Sequence, residues 1–86
     1  MLIDGQVLSP ENQPIAGAAI YVVSAPVRMP DTAQLTDDMG RFIMSVPVPG
    51  RYIFGARTDE WGAMEVSVQV SKEKTPVEIK FTKRSK

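Results

Sequence analysis

Apolar residues recur at every second position in a succession of short runs, which is the repeat of a half-buried strand. Ile3, Gly5 and Val7 alternate with Asp4 and Gln6, and the run ends in the turn-forming SPENQP at 9–14. Residues 18–23, AAIYVV, are nearly all apolar, with β-branched and aromatic members, and predict a central strand covered in part on both faces. Residues 35–56, LTDDMGRFIMSVPVPGRYIFGA, read as two further strands in a hairpin-like unit, each launched by its own turn, the second with Pro49 and Gly50 in the central positions of a type II turn. Met64, Val66, Val68 and Val70 alternate with Glu65, Ser67 and Gln69 in the cleanest two-residue period of the chain. After SKEKTP at 71–76, Val77, Ile79 and Phe81 alternate with Glu78, Lys80 and Thr82, and residues 83–86 form a basic tail that should fray.

One segment breaks the rhythm. In SAPVRMPDTA, residues 24–33, Pro26 and Pro30 each remove a backbone donor and so exclude central pairing. It is the longest irregular stretch, expected to be a loop or an edge that crosses from one sheet to the other, and a place where binding residues can sit.

No stretch keeps a helical period. About seven short strands at roughly ten-residue spacing predict an all-β fold, a seven-stranded antiparallel Greek-key β-sandwich with Ig-like layering. It should form one domain over residues 1–82, with 83–86 as its tail. The expected core joins Ile3, Val7, Ile20, Val22, Phe42, Met44, Val46, Tyr52 and Phe54 to Met64, Val66, Val68, Val70, Val77, Ile79 and Phe81.

Composition narrows the function classes more than the fold. The chain has 86 residues, one small core's worth, with 43% hydrophobic and 23% charged residues, a globular balance. No apolar run approaches the roughly 20 residues of a membrane-spanning helix, and MLIDGQVL lacks the basic start and long apolar stretch of a signal peptide. With no cysteine there are no disulfides and no thiolate chemistry. With no histidine either, imidazole bases, Ser-His and Cys-His nucleophiles and the main transition-metal ligands are all missing, so no cofactor and no enzyme activity are expected. The net charge is zero although residues 1–40 hold only one cation, Arg28, against five acids. That balance speaks against nucleic acid, even though Arg41, Arg51, Arg57, Lys80 and Lys83 could be gathered by strand pairing.

Taken in order, I-D-G-Q-V at 3–7, P-I-A-G-A-A-I at 14–20, T-D-D-M-G-R-F at 36–42 and P-G-R-Y-I-F at 49–54 resemble carboxypeptidase regulatory-like domains over nearly the whole chain. The resemblance implies a transthyretin-like β-sandwich acting as a non-catalytic accessory module of a larger protein, in the cell envelope or outside the cell. The lack of a signal peptide leaves a cytoplasmic setting open. The hydroxyisourate hydrolase branch of the transthyretin-like group depends on histidines and a C-terminal Tyr-Arg-Gly-Ser motif, neither of which occurs here, which makes a hydrolase the weakest reading. The Lys–Asn cross-link of collagen-adhesin B-type domains takes its lysine from an early strand, whereas the first lysine here is Lys72 and the one asparagine is Asn12.

Four residues are candidates for contact. Trp61 in ARTDEWGA, with Glu60 or Asp59 beside it, could stack on a sugar or anchor a protein, or fold over the end of the sandwich. Tyr21 can face outward with Val23, and Arg28 lies in the irregular segment. The neighbouring carboxylates Asp37 and Asp38 read as turn caps: adjacency sends two side chains apart, whereas acid–base work or a calcium site needs convergence, with Asp31 or Asp59 the only distant reinforcements. The expectation is a protein-contact module, with carbohydrate binding at Trp61 as the alternative.

Overall fold

The computed structural model describes residues 1–29, 33–71 and 75–82, and these contain no helix. Seven strands follow in order: β1 (Leu2–Leu8), β2 (Ala19–Ser24), β3 (Ala33–Leu35), β4 (Arg41–Ser45), β5 (Gly50–Thr58), β6 (Gly62–Val70) and β7 (Thr75–Lys80). They form a three-stranded sheet, β4-β1-β7, and a four-stranded sheet, β3-β2-β5-β6. The all-β expectation holds in this two-sheet form. The tail at 83–86 lies outside the described residues.

Register puts the apolar alternates of both sheets into one core. In the smaller sheet Ile3 stands opposite Met44 and Val7 opposite Ile79, and in the larger one Phe54 lies between Val22 and Val66. Tyr52 and Phe54 are fully buried and stack with ring centroids 5.8 Å apart, and the Tyr52 hydroxyl donates to the Val48 carbonyl at 2.7 Å. Two glycines make room for aromatic rings. Gly5 faces Phe42, and a Cβ at Gly5 would lie 2.2 Å from the ring; Gly55 faces Tyr21 on the outer surface, with the same 2.2 Å conflict. Ala18 and Ala56 complete the core.

Four expectations need correction. The pairing is not wholly antiparallel, because β1 and β7 run parallel. Alternation reports which face a residue takes and is silent on strand direction. Residues 35–56 are not a hairpin: β4 pairs with β1, and β5 pairs with β2 and β6 in the other sheet. Pro47 and Pro49 remove two donors between them, so the chain cannot close a tight ladder there and crosses over instead. Residues 24–33, conversely, cross nothing, since β2 and β3 are antiparallel neighbours in one sheet. The segment is tied down by half-buried Ala25 and Met29, while Pro30 to Thr32 lie outside the described residues. Finally, Gly50 has a φ of 144°, far from the roughly +80° of a type II turn. It opens β5 beside Pro26, whose ring lies 2.9 Å from where a Cβ would stand.

Of the two carboxylates expected to cap the turn before β4, Asp37 does so. Asp37 Oδ1 accepts from the backbone N–H groups of Met39 and Arg41, both at 2.9 Å, and Gly40 turns through a φ of 72° where a Cβ would strike the Val7 carbonyl at 2.7 Å. Thr36, just before it, is buried. Its hydroxyl donates to the Ile15 carbonyl at 2.6 Å and accepts from the Ala18 N–H at 2.9 Å, clasping the segment that leads into β2.

Candidate functional site

Two sheets leave four edge strands, and the sequence equips them unequally. β3 has only three residues. β7 carries Pro76, which offers no backbone donor, with charged Glu78 and Lys80. β4 is five residues long, starts at Arg41, and its inward Phe42 and Met44 are buried, so it leaves no inward apolar side chain half-exposed. β6 is different. It runs nine residues without proline, lysine or a break in register against β5, and its outward residues Ala63, Glu65, Ser67 and Gln69 include one charge. Every second residue of such a strand directs its N–H and C=O away from the sheet, toward open space. Its inward residues Met64, Val66 and Val68 pack on the core but stay half-exposed, as does Val77 of β7 across from them. Of the expected core residues, these four and Val22 fall short of burial. The β6–β7 side of the molecule is thus an apolar seam bordered by an unpaired ladder.

Trp61 stands at the end of this strand pair. The β5–β6 turn holds it in place: its backbone N–H donates to Thr58 Oγ1 at 2.7 Å, and Gly62 closes the turn with a φ of 79°. Trp61 is half-buried and packs on the core, beside the 9–16 segment. With Glu60, Glu11 and Gln13 it lines a shallow open pocket of about 360 Å³ that contains no second aromatic. Asp59 in the same turn is exposed.

The other candidates lie elsewhere. Tyr21 faces outward, its ring laid over Gly55, which explains an exposed-face tyrosine without a ligand. Arg28 is exposed in the segment leaving β2 at the Gly50 end of β5, whereas Trp61 follows the opposite end. Nine strand residues, about 30 Å, separate those ends, so Arg28 and Trp61 cannot share one small ligand. Arg41 and Lys80 belong to the smaller sheet and Arg51 and Arg57 to the larger, so strand pairing does not gather them into one basic face. Lys83 and Asp31 are outside the described residues. Arg41 instead reaches Asp4 at 3.4 Å. Beside that pair a broad groove of about 750 Å³ opens between β3 and β4, with Leu35 and Ile43 on its wall, 70% and 57% exposed.

Among the described residues, no three acidic, histidine or cysteine side chains come close enough to hold a metal ion. Nor do the described residues include a helix long and apolar enough to cross a membrane. The edge of β6 was not singled out from sequence. Its alternation was plain, but whether a strand is central or marginal is decided by topology, and the absence of proline and lysine along it was the available signal. No family model matches the chain, and no curated protein matches it.

Proposed function

We propose that this chain is a non-catalytic β-sandwich module of the transthyretin-like, Greek-key kind, serving protein–protein contact by strand addition at β6. The carrying observation is the coincidence of an unpaired nine-residue edge with half-exposed Met64, Val66 and Val68 beneath it. An extended chain seated there gains main-chain hydrogen bonds and side-chain contacts together, the two ingredients of strand-addition recognition. The resemblance to carboxypeptidase regulatory-like domains points the same way, toward an accessory module and not an enzyme, and a parent multidomain protein is a natural source of the partner.

The test is selection of random linear peptides against the folded chain, followed by amide hydrogen exchange of the complexes. Peptides alternating apolar and polar residues, protecting amides of β6, are the expected result. Binders that leave β6 amides unprotected would count against the reading. A carbohydrate module at Trp61 remains the second reading because the indole walls a real pocket. As the chain has a single tryptophan, its fluorescence reports on that site directly. A shift with oligosaccharides and none with peptides would replace the proposal.

A further inference from the structure

The partner that β6 fits best is β6 itself: we infer that a second copy of this chain pairs antiparallel along Met64–Val70 of β6, across a two-fold axis at Ser67. This rests on the strand-addition reading above and names its occupant.

An antiparallel register about Ser67 sets Val66 opposite Val68 of the second copy, and Glu65 opposite its Gln69. Both relations occur twice by symmetry. Inward residues meet inward residues, so the valines of the two copies close each other's seam. On the outer face no carboxylate stands directly opposite another, and each Gln69 amide can donate to the facing Glu65. The other edges lack this self-complementarity. Two copies of β7 would oppose Pro76, and β4 and β3 are too short to form more than a few pairs.

The area fits a transient pair. Seven paired residues span about 23 Å, and the slab of two sheets with their side chains is about 20 Å thick, which gives roughly 460 Å² per copy and about 900 Å² in total. That is below the range of stable interfaces, so a weak, reversible dimer with a Kd of roughly tens to hundreds of micromolar is expected and not an obligate one.

The absence of cysteine makes the test clean, since any disulfide must come from an introduced residue. Residues opposite each other in an antiparallel pair have Cα atoms about 4.5–5.5 Å apart, within the span a disulfide bridges. Ser67→Cys, exposed and on the axis, should therefore oxidise to a covalent dimer. Ala63→Cys, four residues from the axis on the same face, should not. Sedimentation equilibrium should show monomer and dimer in exchange, with Gln69→Glu weakening association roughly fivefold by facing two like charges and Gln69→Lys strengthening it by about as much. A chain that stays monomeric to millimolar concentration, or equal cross-linking at positions 63 and 67, overturns the inference. A monomer whose β6 amides are still protected by selected peptides refutes the second copy alone. A monomer without such peptides removes the strand-addition reading as well.

Discussion

Replacing Thr36 by valine keeps the shape of the side chain and deletes its hydroxyl, so it isolates two hydrogen bonds from everything else at the site. The hydroxyl is the partner of the Ala18 N–H and of the Ile15 carbonyl, and Ala18 is itself fully buried. A buried polar group left without a partner costs about 1–3 kcal/mol. The Ala18 N–H should suffer that cost in full, whereas the half-exposed Ile15 segment can take up water and adds at most about 1 kcal/mol, so the sum is about 1–4 kcal/mol. Domains hold roughly 0.05–0.15 kcal/mol per residue, or about 4–13 kcal/mol for a chain of this length. Thr36→Val should therefore remove a large share of the total stability.

Urea titration followed by Trp61 fluorescence and far-ultraviolet circular dichroism measures the loss, and thermal melting should show a midpoint lower by about 5–25 °C. Thr36→Ser is the control, because serine keeps both bonds and loses only a methyl group. It should cost no more than about 1 kcal/mol. If Thr36→Val unfolds within 0.5 kcal/mol of wild type, the hydroxyl is not a clasp and the account of the segment before β2 is wrong. If serine is as damaging as valine, packing and not hydrogen bonding is the cause.

Substitutions at three further places test neighbouring parts of the fold. Asp37→Ala loses two backbone donors' acceptor in an exposed turn and should cost about 1 kcal/mol in the same titration, while Asp38→Ala stays within about 0.5 kcal/mol. Equal effects would mean that the paired carboxylates are not a cap and its bystander. Gly5→Ala drives a methyl group into the Phe42 ring and should destabilise by about 1–3 kcal/mol, with a double-mutant cycle through Phe42→Leu recovering part of it. Tyr52→Phe should cost about 1 kcal/mol for the lost bond to Val48, measured by the shift in the urea midpoint at constant slope.

Element positions were largely legible because alternation reads burial directly: β1, β4, β5 and β6 fall where Ile3/Val7, Phe42/Met44, Tyr52/Phe54 and Met64–Val70 alternate. What alternation does not carry is the partner of each strand. Nothing local distinguishes a hairpin from a crossover after Ser45 except the two prolines, and nothing local says that β7 returns beside β1. β3 was missed for another reason, as three exposed residues cannot display a period. At the candidate site, the turn role of an aspartate followed from residue type, since a carboxylate two or three residues before Gly40 can cap its own backbone, but that Asp37 and not Asp38 does so is decided by the fold. Tyr21 was less readable. Its explanation is Gly55, more than thirty residues away, and the pairing that joins them exists only once β2 and β5 have found their register.

The unequal sides of the sandwich carry a thermodynamic consequence that does not depend on identifying a partner. Any chain seated on β6 meets the native edge and not the unfolded chain, so it must stabilise the fold by mass action. A partner strand at a hundred times its Kd adds about 2.7 kcal/mol, which raises the melting midpoint of a domain this small by roughly 10–20 °C. A second copy acts on itself in the same way, and the midpoint should then climb with protein concentration. Gln69→Lys should steepen that climb and Gln69→Glu flatten it, and because residue 69 stands opposite Arg51 in β5 the dilute midpoint should move the other way, slightly down with lysine and slightly up with glutamate. A ligand at the Trp61 pocket would stabilise as well, but without regard to residue 69. If the midpoint of wild type and of both variants is constant over three decades of concentration, self-pairing has no place in the energetics. Val66 and Val68 would then be ordinary partly exposed apolar surface, of which every small protein has a good deal.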